Sequence, residues 1–341
     1  MHVPGRCDSM ARSVTDPQLT TAPSPGYAGI KTFMGADTCE PDAVTAEVDA
    51  AAFGVPFDGG VTNQPGTRYG PQGLRAASSL LSRTFDSEER RYNIATGRSA
   101  AYDSLELRDC GDAPVVPNDI EATYDAVEAY VGAISEQTMP ILLGGDHYLT
   151  YPAFVGYAQS VGEDVGLIQI DAHTDTWGSN ELYGEHHHGS PMARIDESEY
   201  GGYENHAMIG IRGHADMEFL DILDDRGLYV DYAHEVADRG ITESVEGAIE
   251  HATDGVDHVY LTIDIDGVDP SFAPGTGTPQ PGGLTSSDLL KATDLLGQCP
   301  EIGAVDLMEV APTLDPTNTT SLLGANALSR FLQSYFYEQV A

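Results

Sequence analysis

Lysine is almost missing from this chain: Lys31 and Lys291 are the only two in 341 residues. Sixteen Lys and Arg face 54 Asp and Glu, giving a formal net charge of −38 and a pI near 4.2. That field repels phosphate backbones and anionic headgroups, so no nucleic-acid or membrane-surface partner is expected. A carboxylate surface with so little lysine suits a cytoplasm of very high ionic strength, and the expectation is a halophilic protein. Cysteine is scarce too. Cys7, Cys39, Cys110 and Cys299 are far apart with no CxxC pair, and read as reduced small hydrophobes rather than a disulfide or zinc framework. No run of about 18 apolar residues exists to span a membrane. No apolar h-region opens the chain, so the expected location is cytoplasmic. The dinucleotide fingerprint GxGxxG is absent, which argues against a Rossmann dehydrogenase. Residues 1–27, rich in Pro, Ser and Thr, read as a flexible arm, with Met10 an alternative start to Met1.

What is present is a large core, at 41% hydrophobic residues, written as a repeating pattern. Short apolar runs recur at 49–57, 104–113, 139–147, 165–175, 206–213, 227–233, 258–267 and 302–310. Helical periodicity fills 119–135, 242–253, 285–297 and 319–337, with Asp119 and Ser286 as candidate caps. Strands apolar through most of their length, alternating with helices, predict a parallel sheet buried on both faces. Eight such strands make one α/β domain over residues 28–341. Ligands of such sheets bind outside the strands' carboxyl ends, so the residues there decide the chemistry.

Those ends carry an unusual set. The run at 139 closes on "GGDH", giving Asp146 and His147; the run at 165 closes on "DAHTD", giving Asp171, His173 and Asp175. The run at 258 supplies Asp264 and Asp266, and the last supplies Glu309. In so acidic a chain a lone DxD means little. The conjunction of several strand ends, aimed by a parallel sheet at one rim, means more. Four clustered carboxylates repel and raise one another's pKa values unless cations intervene. Two divalent cations cancel the charge of Asp171, Asp175, Asp264 and Asp266, with His147 and His173 neutral. An oxygen-rich set with one imidazole per ion and no thiolate suits Mn²⁺ better than Zn²⁺. Two ions about 3.5–4 Å apart bridge a water and lower its pKa, generating hydroxide. In "GEHHHGSPM" (184–192), His188 leads into a Gly-Ser-Pro turn and is a candidate proton carrier for a leaving amine, whereas His186 and His187 read as loop residues. Glu309 is a candidate partner for a planar cation through paired hydrogen bonds.

Taken together, "GGDH", "DAHTD", "HGSP", "DIDGVDPSFAPGTGTP" with "GGLT", and "MEVAP" resemble the ureohydrolases: arginase, agmatinase and their guanidino-acid relatives. The motifs stand in family order across roughly residues 28–338. The resemblance implies a three-layer α/β/α sandwich around an eight-stranded parallel sheet, two Mn²⁺ per subunit with Ni²⁺ left open, and a homo-oligomer, a trimer or hexamer. It implies that His147 and Asp175 ligate one metal and His173 and Asp266 the other, with Asp171 and Asp264 bridging. His188 then matches the proton-transfer histidine and Glu309 the residue holding the guanidinium, while Asp146 supports the site without ligating. A metal-bridging hydroxide would attack the guanidinium carbon and release urea and an amine.

The branch turns on the tail of the substrate. After "DAHTD" the chain lacks the Asn- and Ser-bearing loop with which arginases grip an α-amino acid. "PGTRYGPQGLR" (65–75) and "GTGTPQPGGLT" (275–285) resemble agmatinases, while "NIATG" (93–97) and "DPTNTTSLLGANAL" (315–328) resemble hydrolases of guanidino acids. Agmatine, the first expectation, places the protein in polyamine metabolism; guanidinobutyrate, guanidinopropionate and free guanidine are alternatives. Arg68 and Arg212 are the candidate partners for a carboxylate tail, and Trp177, the single tryptophan, either narrows the pocket or covers it. A silent, metal-binding regulatory subunit is the remote alternative from another class.

Overall fold

The computed structural model describes residues 28–81, 91–95, 99–100, 105–179 and 181–340. The arm at 1–27, with Cys7 and Met10, lies outside them, and Lys31–Ala341 pack as one compact unit. Nine strands form a sheet in which every pairing is parallel: β1 (Asp37–Thr38), β2 (Ala50–Gly54), β3 (Leu107–Asp112), β4 (Met139–Leu143), β5 (Val165–Ile170), β6 (His206–Ile211), β7 (Tyr229–Tyr232), β8 (His258–Asp264) and β9 (Ile302–Met308). Their spatial order is β1-β3-β2-β4-β9-β8-β5-β6-β7. Each of the eight apolar runs contains one of β2–β9. The expected eight strands become nine because β1, two exposed polar residues at the sheet edge, leaves no hydrophobic signal.

Alternation along the strands splits the core in two. Leu261 and Ile263 of β8 and Ile168 and Ile170 of β5 face one layer, with α1 (Gly70–Ser78), α7 (Ile241–Ala252), α8 (Ser286–Leu296) and α9 (Thr319–Val340) supplying Leu74, Val245, Leu289 and Phe331. Tyr260 of β8 and Leu167 of β5 face the other, against Val127 and Val131 of α2 (Ile120–Ser135) and Phe154 of α3 (Thr150–Val161). Fully burying each such large side chain is worth about 1.5–3 kcal/mol, which is why the central strands tolerate no polar residue without a partner. The result is the three-layer sandwich, helices on both faces of the sheet.

Two helix starts test local chemistry. Asp119 caps α2, its side chain accepting from Ala122 N at 3.0 Å. Ser286 is not the cap of α8; Thr285 is. Its hydroxyl accepts from Asp288 N at 3.1 Å, and the Asp288 carboxylate accepts from Thr285 N at 2.9 Å. This reciprocal pair satisfies two helix-end amides where a serine one residue later would satisfy one.

Candidate metal centre

β4, β9, β8 and β5 are neighbours at the middle of the sheet, and their ends are nearly flush. Leu307 of β9 is in register with Leu143 of β4, Asp264 of β8 with Met308 of β9, and Ile263 of β8 with Ile170 of β5. Asp264 closes β8, Asp171 and Glu309 directly follow β5 and β9, and a short turn after β4 presents His147. Asp175 and Glu309 sit at φ of 50° and 61°, left-handed conformations that cost a non-glycine residue of order 1–3 kcal/mol. Glu309 is held there by its own N–H, which donates to Gly145 O at 3.0 Å.

Five of the six expected ligands fall in two overlapping groups, His147, Asp171 and Asp264, and Asp171, His173 and Asp266; the sixth, Asp175, lies against His147. His147 Nδ1 lies 3.1 Å from Asp171 Oδ2, 2.9 Å from Asp175 Oδ2 and 3.2 Å from Asp264 Oδ2. His173 Nδ1 lies 3.2 Å from Asp266 Oδ2 and 3.7 Å from Asp171 Oδ1. Among the described residues the fully buried His147 Nδ1 makes no hydrogen bond, although three carboxylate oxygens surround it. A lone nitrogen aimed at the centre of a carboxylate cage is the donor set a divalent cation takes. Its other nitrogen, Nε2, meets Thr262 Oγ1 at 2.9 Å, which fixes the ring.

Left to themselves, the groups take up protons to relieve the crowding. Burial, then Asp175 and Asp266, push Asp171 up to about 7. Burial and the same crowding push Asp264 well above the carboxylate range. Burial works against charge on His173, but Asp266 and Asp171 outweigh it and lift the ring to about 11. Cations would replace those protons and leave every carboxylate ionised.

Beside the cage stand His188 and Glu309. His188 Nδ1 is 3.1 Å from Glu309 Oε1, and its Nε2 is 2.7 Å from Thr62 Oγ1 and accepts from Thr62 N at 3.2 Å. Burial disfavours charge on His188, yet Glu309 overrides it and raises the pKa to about 9. Glu309 Oε1 also accepts from His147 N at 2.9 Å, while Oε2 is buried without a partner among the described residues. Asp146 reaches neither ligand group. Its Oδ2 accepts from Gly60 N at 2.7 Å, so it anchors the loop after β2 beneath His188. Burial, then Glu309, raise it to about 7.

A cavity of about 160 Å³ opens onto this cluster, lined by Thr62, His173, Trp177, His187, His214 and Thr278 among others, with no Arg or Lys among the described residues of its lining. Both arginines considered for a carboxylate tail are engaged elsewhere. Arg68 pairs with Asp58, and Arg212 donates to the carbonyls of Gly210, Asp266, Gly267 and Gln280. Trp177 is 42% exposed, at the mouth, with His187 edge-on to it at 5.9 Å between centroids. His187 therefore belongs to the pocket wall rather than to an incidental loop, and its pKa is lowered by burial and by His188. His186 does not line it; its Nδ1 meets Tyr148 OH at 2.6 Å and pins the loop. Thr62 escaped sequence reasoning because it sits in a loop 126 residues from His188 and carries no distinctive chemistry.

The central strand ends of a parallel α/β sheet thus gather two carboxylate–imidazole groups that could hold metal ions, the kind of site a metal-dependent enzyme would use. The model of the arginase family matches residues 48–333, and the chain belongs to that family. It is 38% identical over 291 residues to a mitochondrial agmatinase of Gallus gallus, covering 84% of this chain and 80% of that one. It is 35% identical to a guanidinobutyrase of Pseudomonas aeruginosa, covering 90% and 93%. Proclavaminate amidinohydrolase of Streptomyces clavuligerus superimposes with a TM-score of 0.79 at 32% identity, covering 92% of this chain and 99% of that one.

Proposed function

We propose that this chain hydrolyses a guanidino compound, agmatine first, to urea and an amine at a two-cation centre. One observation carries the reading: Glu309 Oε2 is a buried carboxylate oxygen without a partner among the described residues, and Glu309 stands against His188, which lines a cavity with no Arg or Lys among its described lining residues. A planar cation is the group that satisfies it, through paired N–H donors. The absence of a lining cation disfavours a carboxylate tail and favours an amine-tailed or short substrate. His147 and Asp175 would help to hold one ion and His173 and Asp266 the other, with Asp171 and Asp264 contributing to the same centre. The ions, when bound, supply a nucleophilic hydroxide at neutral pH. Glu309 orients the guanidinium. His188, held between Glu309 and Thr62, carries the proton that the leaving amine needs.

The oxygen-rich donors favour Mn²⁺, with Ni²⁺ left open. The acidity favours a halophilic, cytoplasmic protein, and the family resemblance a homo-oligomer, a trimer or hexamer. Among the described residues no helix is long and apolar enough to cross a membrane. Free guanidine is the second reading, because Trp177 and His187 narrow the small cavity. The test is urea release by purified protein with Mn²⁺ from agmatine, guanidinobutyrate, guanidinopropionate, arginine and guanidine. Turnover of agmatine above the acids is expected, and no urea from any of the five would overturn the proposal. Asp264→Asn is expected to abolish urea release; undiminished turnover by that variant would show that the cage is not the catalytic centre.

A further inference from the structure

Gln169 is a fully buried amide in the middle of β5, two residues before Asp171. A side-chain amide there costs free energy unless each of its polar atoms finds a partner. It finds three. Nε2 donates to Asp171 Oδ2 at 2.7 Å and to His173 O at 3.3 Å, and Oε1 meets His206 Nε2 at 3.0 Å. The chemistry fixes which end of the amide is which. A carboxylate only accepts, so it faces the NH₂ group; the carbonyl end then requires an N–H from His206. His206 is buried on the neighbouring strand β6, stacked on Tyr203 at 12° between planes. Burial, with His251 and His147 adding, lowers its pKa to about 3, so it is a neutral ring with one N–H to give. The amide is thus locked from both ends.

The locked end is the shared carboxylate. Asp171 Oδ2 lies toward His147, while Oδ1 accepts from His173 N at 2.7 Å and lies toward the His173 ring. Each oxygen serves a different ligand group, which holds only in one rotation of the carboxyl plane. The Gln169 N–H on Oδ2 opposes rotation and leaves that oxygen a further lone pair for a cation.

We propose that His206 and Gln169 act in series as positioning residues that hold Asp171 across both cation sites, and so keep the second ion. The proposal rests on the two-cation reading above. The probe is Mn²⁺ alone, titrated into chelator-stripped protein by calorimetry, with metal content after desalting and the EPR signal of a coupled Mn²⁺ pair as further readouts. The wild type is expected to keep two equivalents. Gln169→Leu is expected to weaken one equivalent at least tenfold and to replace the coupled-pair signal with that of isolated Mn²⁺. His206→Phe, which keeps the stack but loses the N–H, is expected to do the same to a smaller extent, and His206→Gln to restore the wild-type signal. Adding His206→Phe to Gln169→Leu is expected to change nothing more. Two equivalents with wild-type affinity and coupling in Gln169→Leu would overturn the proposal, as would independent, multiplying effects of the two changes. Should Gln169→Leu fail to fold, Gln169→Met asks the same question. A wild type that binds fewer than two equivalents would sink the two-cation reading itself, which separates the two failures.

Discussion

The neutrality of His206 has a signature in stability. Its folded pKa near 3 lies below the ordinary histidine value of about 6.5, so between these pH values the unfolded chain binds a proton that the folded chain refuses. Stability is therefore fully present above about pH 6.5 and declines as pH falls toward 3, by at most about 1.4 kcal/mol per pH unit. His206→Gln removes that term. Denaturant unfolding is expected to show the wild type losing its advantage over the variant between pH 6.5 and 4; parallel curves would refute the assignment. Glu309 carries the other residue-scale expectation. Glu309→Gln keeps the shape and the bond from His147 N but replaces the open oxygen's charge, and kcat/KM is expected to drop roughly a hundredfold or more with both metal equivalents retained. Metal loss in that variant would show that Glu309 acts structurally instead.

Among the elements, the strand ends were the most readable and the loops the least. The central strands announced themselves because buried parallel strands must be apolar through their length, whereas β3 and the edge strand β7 are more polar, and the ligands stood out because they follow the central runs directly. β1 and the wall residues Thr62 and His187 were not legible: their positions are set by contacts with distant segments, not by local pattern. Thr285 rather than Ser286 caps α8 because the reciprocal bond with Asp288 decides between two adequate hydroxyls. The close approach of β4 to the loop after β2 gives a prediction of its own. A Cβ on Gly145 would meet the carbonyl oxygens of Val55 and Phe57, both backbone. Gly145→Ala is expected to cost roughly 1–3 kcal/mol by overpacking and, by shifting the turn that carries His147, to weaken Mn²⁺ binding. Wild-type stability and metal content in this variant would show that the turn is more pliant than drawn.

At the scale of the whole molecule, charge dominates. A net charge of −38 repels itself across any folded surface, and salt shortens that repulsion to about 3 Å at 1 M. Unfolding temperature is expected to rise steadily from 0.1 M to multimolar KCl, and a flat profile would remove the argument for a halophilic surface. Chelation is expected to lower it as well if the cage holds ions as proposed, since an ion bound only by the folded state adds about 2.7 kcal/mol per site at a hundredfold excess over Kd. The order of the strands along the chain has one more outcome, in time rather than in space. His147 N and Glu309 Oε1 meet across 162 residues, and β9 enters the sheet between β4 and β8. Non-local parallel pairing of this kind closes slowly. During synthesis the gap beside β4 stays open until nearly the whole chain has emerged, so the cage and Glu309 arrive together, last. A molecule able to hold its metals is one that has finished folding, and metal uptake followed during refolding would serve as a clock for the final step.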